Sequence, residues 1–403
     1  MSHVLVIHRW RDHYSLYASY LDHAQTQVTY VTTAMGAASV PPAAAAVVTV
    51  GATDDLAQVR AAADRLIAEF GPPDRIVALN EGDLDTAAEL RAALDITGQH
   101  PADLAPFRDK LTMVQTVASA GLAAPTFADA PDEAAVLAFG ETHGWPVIVK
   151  PRRGTASRAV LKIGGPGDLA ELRALAPEPR VVQTFCPDPI LHVDGVWTGT
   201  ELGPWRASAY LNTCVEFTTG EVLGSVEVDD PALLGPLGEF TAAIAGALSG
   251  EPWVFHLEVF AGGDPGDPPR LTFLEAGYRT GGAEIPFVWR EVHGIDLMSA
   301  AIGVQLGRVP DLPVPTRWRT AGWLLVPTPV PAPCRVVGAD LWLDPGEGPY
   351  AQVVPPVGYR VPKVGGYEHV GARFRFQGET TNEVEKAIRR TAAQFRLDCV
   401  PDP

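Results

Sequence analysis

Apolar residues in the first hundred positions form four short runs, at residues 4–7, 28–31, 47–50 and 76–79. Short apolar runs of this kind are typical of strands buried on both faces of a parallel sheet. Between them the apolar residues recur with the period of amphipathic helices. The predicted helices lie around residues 14–22, 54–70 and 84–94. This alternation predicts an α/β protein that begins with a small doubly wound parallel sheet.

The loop that follows the first predicted strand, at residues 8–11, lacks the Gly-x-Gly-x-x-Gly pattern of dinucleotide-binding turns. A nicotinamide-dependent dehydrogenase is therefore disfavoured. Ligands of doubly wound sheets bind at the carboxyl ends of the strands. Arg9, Asn80 and Glu81 are expected at those ends and are candidates for ligand contact.

Two later segments, residues 256–260 and 271–275, alternate apolar residues with a single carboxylate. A stretch rich in glycine, proline and aspartate separates them, so they are predicted to form a hairpin. Glu258 and Glu275 can then face the same side. A single glutamate on a strand is usually a solvated residue, but two of them followed by Arg279 suit a Mg²⁺ site that holds phosphates.

Two lysines stand at positions suited to phosphate binding. Lys110 follows Arg108 and Asp109 in the first turn of a predicted helix, and Lys150 ends a short apolar strand between two prolines. The loop at residues 152–158 is rich in small residues and in hydrogen-bond donors, and such a loop can direct backbone N–H groups at a phosphate chain. Loops of this composition also connect hairpin strands for purely structural reasons.

The composition bounds the class of protein. The chain has 403 residues, of which 46% are hydrophobic and 20% charged, so it can bury a large core and is expected to form two or three domains. Its formal net charge of −17 argues against a nucleic-acid partner and against an anionic membrane surface.

The four cysteines are scattered and contain no Cys-x-x-Cys pair, so the sequence predicts neither a zinc knuckle nor a dense disulfide framework. We expect a cytoplasmic protein. The N-terminus enters directly on a predicted strand without a secretion signal, and no long uninterrupted apolar stretch follows, so no membrane span is expected.

Four histidines, at positions 8, 192, 256 and 293, favour packing or hydrogen-bonding roles, because no pair has metal-ligand spacing on one helix. His256 stays open as a site residue because it precedes Glu258 by two positions on the same face of its strand. Near the end of the chain, an amphipathic helix is predicted at residues 381–395.

Taken in order, the motifs of this chain resemble those of the ATP-grasp superfamily, which includes D-alanine–D-alanine ligase, biotin carboxylase and carbamoyl-phosphate synthetase. The motifs are Arg108-Asp109-Lys110, residues 146–151 with the loop behind them, residues 181–186, Asp194-Gly195, residues 256–260, residues 274–282 and residues 294–297. Each motif alone is poor evidence, and the resemblance depends on their joint order and spacing across most of the chain.

The resemblance implies a role for each candidate residue. Lys110 and Lys150 correspond to the lysines that contact the ATP phosphates, and the loop with Gly154 and Ser157 covers the phosphate chain. The adenine packs against a hinge made by Gln183, Thr184, Phe185 and Cys186. Glu258 and Glu275 match the carboxylates that hold Mg²⁺. Arg279 matches the arginine that stabilises the charge of the reaction intermediate.

One position departs from the family pattern. Many members have asparagine two residues after the second metal-binding glutamate, whereas this chain has Gly277. The coordination of a second metal ion is therefore in doubt. The run Glu-x-x-x-Arg-x-Gly-Gly and the Arg-Asp-Lys opening are most similar to the branch related to bacterial L-amino-acid ligases.

The resemblance also implies an organisation and an activity. An N-terminal pre-ATP-grasp domain would occupy residues 1–104, a small lid-bearing subdomain residues 105–186, and a large subdomain with a C-terminal extension residues 187–403. The implied activity is ATP-dependent ligation of a carboxylate to an amine, with amino acids as substrates and ADP and phosphate as products. The alternatives are a carboxylase of the same fold and a nucleotide-binding module without catalysis. A homodimer through the N-terminal domain is also implied.

Overall fold

The computed structural model describes residues 2–10, 14–154, 158–213, 216–217, 219–264, 266–313, 315, 318–342, 348–363 and 370–402. Its first sheet has four parallel strands in the order β3-β2-β1-β4. The strands are β1 (Ser2–His8), β2 (Thr26–Thr33), β3 (Ala46–Val50) and β4 (Arg75–Ala78). The accompanying helices are α1 (Tyr17–Tyr20), α2 (Leu56–Phe70) and α3 (Glu81–Leu94), with a 3-10 turn at Gly36–Ser39. The predicted doubly wound parallel sheet is therefore confirmed.

A second sheet has the order β5-β8-β6-β7, and its neighbouring strands are antiparallel. The strands are β5 (Phe127–Asp129), β6 (Val147–Pro151), β7 (Leu161–Ile163) and β8 (Arg180–Thr184). Helices α4 (Pro101–Arg108) and α5 (Lys110–Ser119) precede this sheet, and α6 (Glu133–His143), a 3-10 turn (Pro166–Leu169) and α7 (Ala170–Arg173) lie between its strands. This second sheet has a separate apolar core, which contains Phe139, Val147 and Val182.

The largest sheet is antiparallel and has eight strands in the order β13-β12-β9-β10-β11-β14-β18-β16. The strands are β9 (Ile190–Trp197), β10 (Leu202–Tyr210), β11 (Leu223–Glu227), β12 (Trp253–Gly262), β13 (Arg270–Gly277), β14 (Thr320–Val326), β16 (Ala351–Val353) and β18 (Ala372–Gly378). The helices within this part of the chain are α8 (Pro231–Leu248), α9 (Ile285–Val292) and α10 (Leu297–Gln305). Strands β12 and β13 form the hairpin that the alternation of apolar and acidic residues predicts.

A fourth sheet has three strands, in the order β17-β15-β19. It consists of β15 (Cys334–Leu341), β17 (Arg360–Val361) and β19 (Phe395–Pro401), with helix α11 (Thr381–Gln394) before the last strand. Val384 and Ile388 of α11 are buried, as the predicted amphipathic pattern requires. Phe395 opens β19 instead of continuing the helix.

Helix α8 departs from the expectation that the chain lacks a long apolar stretch. It has 18 residues and is, by length and composition alone, apolar enough to cross a membrane. One such helix is weak evidence, because a core helix of a soluble protein meets the same criteria. The buried residues of α8 are Leu237, Thr241, Ile244, Ala245 and Leu248.

The first and the largest sheets share one apolar core, which contains Leu5 and Ile76 from one sheet and Val193 and Leu257 from the other. The side-chain amide of Gln305 adds a direct link. Its Nε2 donates to the carbonyl of Ala78 at 2.7 Å, and its Oε1 accepts from the Ala78 N–H at 2.9 Å. The carboxyl end of β4 is thus held against α10. The domain boundaries at residues 104/105 and 186/187 stay predictions.

Candidate functional site

Glu258 and Glu275 lie directly opposite each other on β12 and β13. Residues paired in this way project from the same face of a sheet. Their side chains are 22% and 29% exposed, so both carboxylates can reach a ligand. The Tyr210 hydroxyl donates to Oε1 of Glu258 at 3.0 Å. Two partly exposed carboxylates side by side form a donor set that suits Mg²⁺, which completes its shell with phosphate oxygens and water.

Lys110 reaches this carboxylate pair from helix α5. Its Nζ lies 2.8 Å from Oε1 of Glu275 and donates to the carbonyl oxygen of Gly154 at 2.9 Å. The helix begins at this lysine because the side chain of Asp109 caps it, accepting from the N–H groups of Leu111 and Thr112. Lys110 is therefore held at the first position of a helix whose N-terminus is capped by Asp109.

Lys150 is the last polar residue of β6 and is almost completely buried. Burial lowers the pKa of its ammonium group to about 8, and the positive charge of Lys110 adds to the shift, while Glu275 and Glu258 oppose it. A buried ammonium beside two carboxylates is prepared to accept a further anionic partner. The predicted phosphate lysines and metal carboxylates are thus close enough to act on one another electrostatically.

Arg279 follows β13 and points towards the first sheet. Its Nε donates to Oε2 of Glu81 at 2.7 Å, and its Nη1 donates to the carbonyl of Thr280 at 3.1 Å. Burial by itself lowers the pKa of Arg279, but the charges of Glu81, Asp194 and Glu275 outweigh burial and the pKa is raised. The guanidinium stays charged, as a group that stabilises developing negative charge must.

Beneath the loop that follows β13 and carries Arg279 lies a chain of hydrogen bonds through two histidines. Nδ1 of His192 is 2.7 Å from Oδ2 of Asp194, Nδ1 of His256 is 2.9 Å from Oδ1 of the same carboxylate, and Nε2 of His192 is 2.7 Å from Oγ of Ser225. Burial raises the pKa of the Asp194 carboxyl, but the histidines outweigh burial and hold it far below its usual range. Burial lowers the pKa of His256, but the negative charge of Asp194 outweighs burial, so the pKa is raised.

The ligand atoms of His192, Asp194 and His256 lie within 4.8 Å of one another, which by itself would allow a metal ion. However, the separations of 2.7 and 2.9 Å are hydrogen-bond lengths, so each Nδ1 already has a partner. Ser225, His192 and Asp194 also have the connectivity of a nucleophilic triad, but the Ser225 side chain is fully buried. We therefore assign the cluster a supporting role.

Gly281 explains what the cluster supports. A Cβ on Gly281 would lie 2.4 Å from Oδ1 of Asp194 and 2.9 Å from Nδ1 of His256. The backbone of the loop after Arg279 is therefore packed directly on the Asp194–His256 pair, which leaves no room for a side chain.

The predicted hinge residues lie at the end of β8 and just beyond it. Gln183 is buried and pairs with Ile148, two residues before Lys150, while the N–H of Thr184 donates to the carbonyl of Thr126 at 2.9 Å. Nζ of Lys162 lies 3.9 Å from the centre of the Phe185 ring. Burial raises the pKa of the Cys186 thiol.

The structure brings Lys110, Gly154, Glu258 and Glu275 together and places Lys150 in the electrostatic field of the two glutamates. Ser157 lies outside the described residues. The hinge residues Gln183 and Thr184 end β8, which pairs with β6, the strand that carries Lys150. The roles of all these residues stay predictions.

Of the residues expected at the carboxyl ends of the first sheet, Glu81 joins the site through Arg279. Arg9 does not, because it pairs with Asp83 and Asp54 instead. The sequence correctly predicted that Glu81 lies at the carboxyl edge of the first sheet. The pairing itself gave no sequence signal, because 198 positions separate the two partners.

No protein-family model and no curated protein sequence matches this chain. Solved structures do. The L-amino acid ligase from Bacillus licheniformis has a TM-score of 0.73 at 17% identity, with 100% of this chain and 99% of that chain covered. The N5-carboxyaminoimidazole ribonucleotide synthetase from Thermotoga maritima has a TM-score of 0.67 at 12% identity, with 98% and 99% covered.

A third similar structure is the biotin carboxylase domain of the Hydrogenobacter thermophilus 2-oxoglutarate carboxylase, in complex with MgADP, ADP and bicarbonate. It has a TM-score of 0.69 at 14% identity, and the alignment covers 99% of this chain and 91% of that one. All three have the ATP-grasp fold. This chain therefore has the ATP-grasp fold along its whole length, as the order of its motifs predicts.

Proposed function

We propose that this protein is an ATP-dependent carboxylate–amine ligase that forms an amide or peptide bond and releases ADP and phosphate. The observation that carries the proposal is the convergence of two lysines on two paired carboxylates, with Nζ of Lys110 2.8 Å from Glu275 and Lys150 buried close by. A charged arginine, Arg279, lies next to this group. Phosphoryl transfer depends mainly on such positioning and charge stabilisation.

The site fits Mg²⁺ and ATP. Glu258 and Glu275 offer two neighbouring carboxylates on one face, and Mg²⁺ bound there would neutralise the charge of the phosphate oxygens during transfer. Lys110 and Lys150 would hold the phosphate chain, with Gly154 and Ser157 in the loop above it. Gln183, Thr184, Phe185 and Cys186 would receive the adenine.

The reaction then has two steps. A substrate carboxylate attacks the γ-phosphorus of ATP, the bond to the β-phosphate oxygen breaks, and ADP and an acyl phosphate form. The amine of the second substrate attacks the acyl carbon, loses a proton, and expels inorganic phosphate. Arg279 would stabilise the negative charge that develops on the acyl and phosphoryl oxygens in both steps.

Amino acids are the substrates we propose for both positions. The support is the likeness to the L-amino acid ligase from Bacillus licheniformis over the full length of both chains. The likeness to carboxylating enzymes supports a second candidate, in which bicarbonate is the carboxylate that reacts with ATP.

Phosphate release from ATP separates these candidates. The purified protein is supplied with MgATP and pooled L-amino acids, with bicarbonate alone, or with neither. We expect release to rise at least tenfold with amino acids and to require two of them, or two copies of one. Stimulation by bicarbonate alone would favour the carboxylase, and no stimulation by either would favour a nucleotide-binding module and reject the ligase.

A further inference from the structure

We infer that Glu81, at the start of helix α3 beside the first sheet, is a positioning residue that fixes the Arg279 guanidinium for the transfer reaction. This inference rests on the proposed ligase function and deepens it. It assigns the N-terminal domain a direct part in acyl transfer, although none of the phosphate-binding or metal-binding candidates lies in that domain.

The Glu81 carboxylate is buried and both of its oxygens are engaged. Oε2 accepts from Nε of Arg279 at 2.7 Å, and Oε1 accepts from Nη1 of Arg108. Nε of Arg108 also donates to Oδ2 of Asp85 at 3.1 Å. The carboxylate is therefore held from one side by Arg108 and holds Arg279 on the other.

The backbone under Glu81 is equally constrained. Glu81 is the first residue of α3, whose N-cap Asn80 accepts from the Gly82 N–H. A carboxylate in this first turn is favoured by the partial positive charge of the helix N-terminus. Three residues earlier, the amide of Gln305 holds Ala78 by two hydrogen bonds. Glu81 is thus a rigid support for the arginine.

This arrangement argues against the other role that an acid at this edge could have, which is to receive the ammonium group of an amino acid substrate. Both oxygens of Glu81 already accept from guanidinium groups, Oε1 from Arg108 and Oε2 from Arg279. An ammonium group would have to displace one of these charged donors. Glu81 therefore serves Arg279, and the anion that Arg279 meets is the carboxylate or the phosphoryl group.

Arg279 keeps donors for that anion. Its Nε is taken by Glu81 and its Nη1 by the carbonyl of Thr280, whereas Nη2 makes no hydrogen bond to any residue that the structure describes. A fixed arginine with an open Nη2 gives more stabilisation than a mobile one, because no ordering is needed at the moment of reaction. Loss of Glu81 should therefore affect turnover more than binding.

The test compares Glu81→Gln with the matched control Glu89→Gln. Both residues are glutamates of α3, but Glu81 is buried against Arg279, whereas Glu89 is exposed. We expect Glu81→Gln to lower kcat about thirtyfold or more, with the Kd for ADP changed by less than about twofold. Glu81→Asp, which keeps the charge but shortens the reach, should recover part of the loss. Glu89→Gln should stay within about threefold of the unchanged protein.

A readout independent of activity is the ¹H–¹⁵N resonance of the Arg279 Nε–H, assigned by its absence in Arg279→Lys. We expect this resonance to shift in Glu81→Gln and to stay in place in Glu89→Gln. An unshifted resonance, or equal losses of kcat in the two variants, would overturn the inference. If the unchanged protein ligates no amino acids, the proposed function fails separately, and the resonance alone then decides whether Glu81 positions Arg279.

Discussion

Glu258 and Glu275 are opposite partners in one hairpin, and each contributes one carboxylate to the proposed metal site. Replacing either with glutamine keeps the shape but removes a charge that the metal needs. We expect Glu275→Gln and Glu258→Gln to lower turnover at least hundredfold, equivalent to about 3 kcal/mol in the barrier, because neutralisation of developing charge is worth several kcal/mol.

The lysines should still hold the nucleotide in these variants, so ADP binding measured by calorimetry should persist. Glu201→Gln is the matched control, because Glu201 is an exposed glutamate of the same sheet region, outside the site. Near-normal turnover of Glu275→Gln at ordinary Mg²⁺ concentration would remove this hairpin from the chemistry.

We expect Lys150 to make nucleotide binding depend on pH. Its pKa is lowered to about 8 by burial, so in the free protein it loses its proton as the pH rises through about 8. A bound phosphate chain favours the charged form, so binding above this pH requires proton uptake. We expect the affinity for ADP to fall with rising pH by up to about tenfold per unit, and to be constant well below pH 8.

Calorimetry in two buffers of different ionisation enthalpy measures this proton uptake at pH 8.5. Lys150→Met should abolish the uptake, whereas Lys386→Met, on the exposed surface of α11, should leave it unchanged. A constant ADP affinity between pH 7 and pH 9 would show that Lys150 does not meet the phosphates.

At the scale of single residues, sequence reasoning found the groups whose spacing within one element has a chemical meaning. These groups are the two glutamates, each on a strand that alternates apolar and polar residues, and the lysines at the start of α5 and the end of β6. It could not find Glu81 as the partner of Arg279, or Asp194 as the partner of His256. These partners are 198 and 62 positions apart in the chain. The first pair forms only when α3 packs near the end of β13, and the second only when β9 and β12 pair.

At the scale of elements, the loop after β13 depends on a glycine. A Cβ at Gly281 would meet Oδ1 of Asp194 at 2.4 Å and Cδ1 of Ile285 at 2.5 Å, so Gly281→Ala must displace the loop that carries Arg279. We expect turnover to fall at least tenfold, because a displacement of about 1 Å can cost two orders of magnitude. ADP binding should change little.

Gly250→Ala is the control, because a Cβ there meets nothing within 4 Å. Thermal unfolding checks that both variants fold. If Gly281→Ala turns over as fast as Gly250→Ala, the packing of the loop on Asp194 and His256 is not needed for the reaction.

The hydrophobic period predicted the parallel strands, the acidic hairpin and α11, because in each case a burial pattern is repeated within the element itself. It did not predict β19, which begins at Phe395, where the expected helix still continued. Phe395 is buried in either structure, so burial periodicity alone does not mark the change from helix to strand. The segment from Phe395 onwards forms a strand because it pairs with β15.

At the scale of the whole molecule, the candidate site lies where elements of three sheet-containing units meet. Glu81 begins α3 beside the first sheet, Lys150 lies on the second sheet, and Glu258 and Glu275 lie on the largest. The order of motifs along the chain predicted the overall fold, because each motif belongs to a known place in it. The junction itself depends on packing between sheets and could not be predicted from composition or periodicity.

The central claim is that a substrate carboxylate is phosphorylated by ATP before the amine attacks. L-Amino acids labelled with ¹⁸O in the carboxyl group, incubated with MgATP and the protein, test it directly by mass spectrometry of the released phosphate. The acyl-phosphate route transfers one carboxyl oxygen to phosphate, so we predict inorganic phosphate with a single ¹⁸O, in an amount equal to the ADP and the amide formed. Unlabelled phosphate, or AMP with pyrophosphate as the nucleotide products, would contradict the account.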